Sequence, residues 1–177
     1  MTTLQVDTLK FDFNDGVAIG AYDRWQHYII VWNAAPGGQK GVDVVAVDGV
    51  PPPSTAWLIE AKDFRIVTNP PKPSNIAGLA QFVADKATHT LAGLAHASAH
   101  AAVAEEKQLA TQALASATQR IVLHLEPHTG PRTALFPAGF AAGVLQKLRQ
   151  LAKAIDPNAL VLNMANTPMS GVPWTVS

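Results

Sequence analysis

From Ser74 to Gln119 the chain runs without a proline and is dense in alanine. Alanine is the best helix former, so this tract is predicted to be helical, with Ser74 as its cap. A single helix of that length would run roughly 65–70 Å at about 1.5 Å per residue, too long for one small domain. A break is therefore expected, placed around Glu105 to Gln108 where charge interrupts the apolar pattern.

The rest of the chain supplies strands. Leu9, Phe11 and Phe13 alternate with polar neighbours, and the turn signal Asn14-Asp15-Gly16 lets Val17 to Ala21 return as a second strand. The segment DRWQHYIIVW, from Asp23 to Trp32, fits a short helix or a strand equally, and AAPGGQKG after it is a loop. VDVVAV and AWLIEAK then form a hairpin over 42–62 with a wide proline-rich loop. RIVLHLEP is a further strand, Pro137 to Ile155 a helix with Leu145, Leu148 and Leu151 at helical spacing, and ALVLNM a last strand. Strand, helix, strand in that order argues a right-handed parallel crossover. The expected class is α/β, a mixed sheet flanked by helices, in a single domain over 1–177.

Composition narrows the chemistry. The chain has no cysteine, which removes disulfides, zinc ribbons and thiol catalysis. Its 13 basic and 13 acidic residues cancel, so no global field draws in nucleic acid. No apolar stretch reaches membrane-spanning length, and the start MTTLQVDTLK has neither a basic opening nor an apolar run. A cytoplasmic protein with no membrane partner is expected. No phosphate-loop spacing and no serine-centred elbow is present, which argues against nucleotide hydrolysis and serine hydrolase chemistry.

The end of AWLIEAKDFR asks for an explanation. Burying a charge is expensive unless it is paired or ligated, yet Glu60 and Lys62 follow directly on Trp57, Leu58 and Ile59. Either the strand has reached water, or chemistry is built there. With a symmetric loop, Val47 faces Ala56, Val45 faces Leu58 and Asp43 faces Glu60, while Lys62 follows one pleat on, on the same face. Opposed residues place their Cβ atoms about 4.5–5.5 Å apart, so the two carboxylates repel unless a cation lies between them. A hard divalent ion suits such a pair.

The stretch GVDVVAV…WLIEAKDFR resembles the core hairpin of the PD-(D/E)xK nuclease superfamily, the restriction-endonuclease-like proteins, with Val42 standing where a proline often stands. The resemblance covers roughly residues 40 to 126 and is specific over two short stretches. It implies a core in the order α-β-β-β-α-β. It also implies Asp43, Glu60 and the carbonyl of Ala61 as ligands of Mg²⁺, with Mn²⁺ able to substitute. Lys62 would orient or help deprotonate the attacking water, Gln81 would enter from the following helix with Lys86 behind it, and Asp23 is the nearest candidate for an N-terminal acidic residue. The implied function is metal-dependent hydrolysis of phosphodiester bonds in DNA. The alternative is a catalytically inactive nucleic-acid-binding or protein-assembly module on the same fold.

Other groups have weaker claims. Gln81, Asp85 and His89 form one polar stripe at i, i+4, i+8. His96 and His100 have a zinc-compatible spacing, as do the alternating His124, Glu126 and His128, but neither set has a recognisable further partner. The duller reading of these is polar punctuation, with His124 and Arg120 on the sheet face of the site. Arg65, Lys72, Lys86, Arg120, Arg132 and Lys147 are candidate phosphate contacts. The small-residue surface of 92–104 suits close packing, on the sheet or in a homodimer.

Overall fold

The computed structural model describes residues 1–36, 38–49, 53–65, 76–128 and 139–177. Ser74, Lys72, Arg132 and the Pro137 helix start lie outside these residues.

The strands sort into two sheets. A small antiparallel sheet has the order β1 (Thr2–Val6), β2 (Leu9–Phe13), β8 (Trp174–Val176). The main sheet runs β3 (Ala18–Ala21), β4 (Val44–Asp48), β5 (Thr55–Asp63), β6 (Thr118–Glu126), β7 (Leu160–Leu162). The first three of these pair antiparallel, and β5, β6 and β7 pair parallel, so the sheet is mixed. The expected hairpin of Leu9–Phe13 with Val17–Ala21 does not form. Phe11 and Phe13 are fully buried in the small sheet, whereas Ala18–Ala21 has only small or β-branched side chains and pairs with Val44–Val47.

The β4–β5 register is the one the symmetric loop predicts: Val47 pairs with Ala56 and Val45 with Leu58. Alternation then divides the sheet into two apolar faces. Val45, Val47, Ala56, Leu58, Ile121, Leu123 and Leu125 face the helices. Val44, Ala46, Trp57, Ile59, Ala61 and Val122 face the small sheet, where Trp57 meets Trp174 edge-on.

Three helices cover the first face: α1 (Ile76–His100), α2 (Ala104–Ala115) and α3 (Phe140–Leu151). The break in the alanine-rich tract falls at 101–103, a few residues before the charged stretch. Glu105 and Glu106 lie in the first turn of α2, where carboxylates favour the positive end of the helix dipole, so they open a helix and do not interrupt one. Lys107 reaches back to the Ala99 carbonyl near the end of α1, 3.2 Å away. Ala80, Ala84, Ala87, Leu94 and Ala97 of α1 are buried in the chain's own core, and α1 packs on α2 and α3. Within the small-residue surface of 92–104, Gly93, Leu94 and Ala97 are buried in the chain's own core, whereas Ala92, Ala95, Ala99, Ala102 and Ala104 are exposed. The crossover through α3 joins β6 to a parallel β7, as the order of elements predicts.

The ambiguous DRWQHYIIVW segment takes the helical alternative, in short turns, with α-helical backbone at Gln26 and His27. It makes a 3₁₀ turn at Tyr22–Arg24 and a π-helical turn at Tyr28–Trp32, closed by Asn33 N–H to the Tyr28 carbonyl at 2.7 Å. No helix among the described residues is long and apolar enough to cross a membrane.

Candidate functional site

The end of β5 and the residue before β4 bring Asp43, Glu60 and Lys62 together, and α1 adds a fourth group, Lys86. Glu60 is fully buried. Lys86 Nζ lies 2.9 Å from Glu60 Oε1, 2.8 Å from Oε2 and 3.5 Å from Asp43 Oδ1. Lys62 Nζ is 2.5 Å from Glu60 Oε1. The other oxygen of Asp43, Oδ2, accepts the Ala61 N–H at 2.7 Å. Two carboxylates and two ammonium groups thus cancel in a largely dry corner.

Electrostatics follow from this geometry. Burial, then the nearby Asp43, raises the Glu60 pKa above the usual carboxylate range, against the pull of both lysines. Burial would lower the Lys86 pKa, but the Glu60 and Asp43 carboxylates outweigh it and hold the ammonium protonated above its ordinary value. Asp23 also feels the cluster: burial and Asp43 raise its carboxyl, while Arg24 and Lys86 lower it. The N-terminal acidic candidate is therefore within electrostatic reach of the site.

The cluster opens towards a cleft of about 230 Å³ lined by Gly38, Lys40, Phe82, Asp85, Lys86 and His89. Lys86, Lys40 and Lys62 all stand over the Phe82 ring, their Nζ atoms 5.0, 5.5 and 5.6 Å from its centroid. These distances are in the range of cation–π attraction.

The sequence places Asp43, Glu60 and Lys62 correctly on one face. It misjudges the helix. Gln81 is exposed, and its amide donates to Asp85 Oδ1 at 2.7 Å, so Lys86 and Phe82 are the contribution of α1. The signal was the stripe Phe82, Lys86, His89, Gly93, His96, His100, spaced by four and three residues along one helix face.

The donors suit a resident divalent ion poorly as arranged. The position between Asp43 and Glu60 is taken by the Lys86 ammonium, and Ala61 serves the site through its N–H. Among the described residues no group of three or more His, Cys, Asp or Glu side chains is set to hold a metal.

Four of the remaining candidates, Arg65, Arg120, His124 and His128, have structural partners. Arg65 pairs with Asp63 at 2.7 Å, and Arg120 with Asp156 at 3.2 Å. His124 is fully buried and meets Glu126 Oε1 at 2.9 Å, while His128 Nδ1 is 3.1 Å from the Phe64 carbonyl oxygen. Burial lowers the His124 pKa, against Glu126, which raises it. His124 is in register with Ala61 and Arg120 with Trp57, which puts both on the face opposite Glu60. They do not line the site face.

No protein-family model matches the chain, and no solved structure matches it. It is 30% identical, over an alignment of 213 residues, to a protein of Neisseria meningitidis serogroup A named cysteine–tRNA ligase. The alignment takes in the whole chain and 30% of that relative, so the chain spans less than a third of the relative's length. This likeness overturns the expectation of a DNA nuclease. The named relative is a ligase of tRNA, and the nuclease and hydrolase designations fall with that expectation.

Proposed function

We propose that this chain is an RNA-contacting domain of a tRNA-ligase-related protein, holding phosphate and base in the cleft over Phe82. The observation that carries the reading is the convergence of Lys40, Lys62 and Lys86 on one aromatic ring. Single-stranded nucleic acid is bound by aromatic platforms flanked by cationic side chains; with Lys62 and Lys86 neutralised by Glu60 and Asp43, Lys40 supplies the net positive charge beside this ring. Asp43 and Glu60 fix Lys62 and Lys86 in place, so much of the ordering of those side chains is already done before RNA arrives. Lys40, exposed at the rim, meets phosphate first. The name of the relative supplies the class of nucleic acid.

The same reading takes the main sheet as a restriction-endonuclease-like core, with Lys86 standing where that family's ion would stand. This fits a contact role without cleavage.

The test is binding of unmodified tRNA transcripts at low salt, followed by fluorescence anisotropy. Lys40→Ala should weaken binding and reduce the salt slope by about one unit, as the loss of one phosphate contact does. Phe82→Leu should lose about 1–3 kcal/mol of affinity if a base stacks there. Absence of tRNA binding at low salt, or equal binding by wild type and both variants, would refute the reading.

A further inference from the structure

At the far end of the α1 stripe three histidines meet. His27 Nε2 lies 2.8 Å from His96 Nδ1, and the His96 ring is 4.5 Å from that of His100. His27 belongs to the segment that enters the π-helical turn, whereas His96 and His100 belong to the last turns of α1. We propose that this cluster is a proton-operated latch that docks residues 26–32 on α1 and releases them in mild acid.

The geometry requires it to respond to protons. A hydrogen bond between two imidazole nitrogens needs one proton between them; a second one sets two N–H groups head to head. His27 is only 4% exposed, and its Nδ1 has no hydrogen-bond partner. A proton added there is buried without an acceptor, at a cost that favours undocking. The charged and titratable groups facing His27 are Glu106 from α2 and His96 and His100 from α1. Glu106 is already engaged: its Oε1 accepts the Gln26 N–H at 2.7 Å and its Oε2 the His27 N–H at 3.1 Å. Lys107, beside it in sequence, is bound to the Ala99 carbonyl.

Burial, then His96, lowers the His27 pKa from its ordinary value, with Glu106 opposing and His100 adding to the effect. The unfolded or undocked segment therefore binds protons more readily. The docking contribution is fully present above the unperturbed histidine value of about 6.5 and is lost as pH falls towards the lower docked value. Release reaches beyond the segment. Tyr28 Oη accepts the Gly41 N–H at 3.0 Å, and the next residue, Val42, donates its N–H to Thr90 Oγ1 at 2.9 Å.

Hydrogen exchange read by mass spectrometry tests the latch on the full chain. After correction for intrinsic rates, protection of the 26–33 peptide should fall at least about tenfold between about pH 7.5 and about pH 5.5, with β4–β6 unaffected. His96→Gln keeps an acceptor for His27 but cannot take a proton, and should hold its protection within about threefold over the same range. His100→Gln, at an exposed position, should shift the loss to lower pH by removing one like charge. Unchanged wild-type protection across the range would overturn the proposal, as would a loss in His96→Gln equal to that of wild type. Should His96→Gln fail to fold, histidine ring signals in the NMR spectrum of wild type decide. His27 titrating in step with the loss of protection supports the latch, and its titration outside that window refutes it.

Discussion

Lys86 and Glu60 meet from opposite layers of the fold: the ammonium carried by α1 is within 2.9 Å of both oxygens of a carboxylate that has no exposed surface. The helix is thereby fastened to the sheet at the point where the apolar run of β5 ends. Removing one partner of a buried pair leaves the other uncompensated, which typically costs about 3–5 kcal/mol. Because Lys62 still reaches Glu60, the lower end applies to Lys86→Met. Urea unfolding should show a loss of about 3 kcal/mol; a loss under about 1 kcal/mol, the range of surface pairs, would contradict the pairing.

That variant should also acquire a pH dependence. Glu60 has a folded pKa raised by burial and by Asp43, so its contribution is greatest below the unfolded value and is lost as pH rises through the folded one. With Lys86 gone, Lys86→Met should lose stability as pH rises above the ordinary glutamate value of about 4.3, whereas Lys86→Met combined with Glu60→Gln should be flat there. A flat profile in the single variant would show that Glu60 is not the group left exposed to the change.

Two glycines of the same helix should respond in opposite directions to alanine. A Cβ at Gly93 would lie 2.1 Å from Tyr22 Oη and 2.9 Å from Trp32 Nε1, but at Gly78 it would meet nothing within 4 Å. Alanine gains up to about 1 kcal/mol over glycine within a helix, and overpacking costs about 1–3 kcal/mol. Gly78→Ala should raise Tm, and Gly93→Ala should lower it, with a net loss of stability of about 1–2 kcal/mol. If both rise together, the close packing of the 22–32 segment over α1 is wrong.

How far the sequence anticipates this depends on whether a signal is local. The β4–β5 register was legible because alternation and a symmetric loop determine it, and so was the convergence of Asp43, Glu60 and Lys62. Lys86 was assigned a place behind Gln81 because polar type was weighed before helical position; a step of five residues turns the side chain to a different face. The pairing of β3 with β4 was not legible, since the turn at Asn14–Gly16 suits a hairpin and only the burial of Phe11 and Phe13 elsewhere decides against it. His27 joins His96 across 69 positions of sequence, beyond the reach of any spacing rule.

Asp63 offers an acid-stability test on the other face of β5. The Arg65 side chain, then Thr8, bonds its carboxylate and pulls its pKa down to about 2, with burial opposing. A depressed carboxylate stabilises above its unfolded pKa, and that contribution is lost as pH falls through the folded value. Asp63→Asn should cost about 1 kcal/mol near neutral pH after allowance for screening. The gap from wild type should close between about pH 4 and about pH 2. A gap that persists at the acid end would assign the effect to packing.

The last prediction concerns the position that Lys86 occupies. Asp43 and Glu60 lie on either side of it, and a divalent ion competes for it only by displacing a buried ammonium that two carboxylates hold protonated. Wild type should therefore bind Mn²⁺ weakly, with a Kd above about 1 mM by electron paramagnetic resonance. Lys86→Gln leaves both carboxylates without that cation, and their repulsion then favours a metal, so its affinity should rise at least about tenfold. Asp43→Asn in the Lys86→Gln background should abolish the gain, because the buried Glu60 carboxylate is then left without the second carboxylate whose repulsion favours the ion. Tight Mn²⁺ binding by wild type, lost in Asp43→Ala and Glu60→Ala, would show that Lys86 yields its place to an ion and that the four-group cluster is a metal centre.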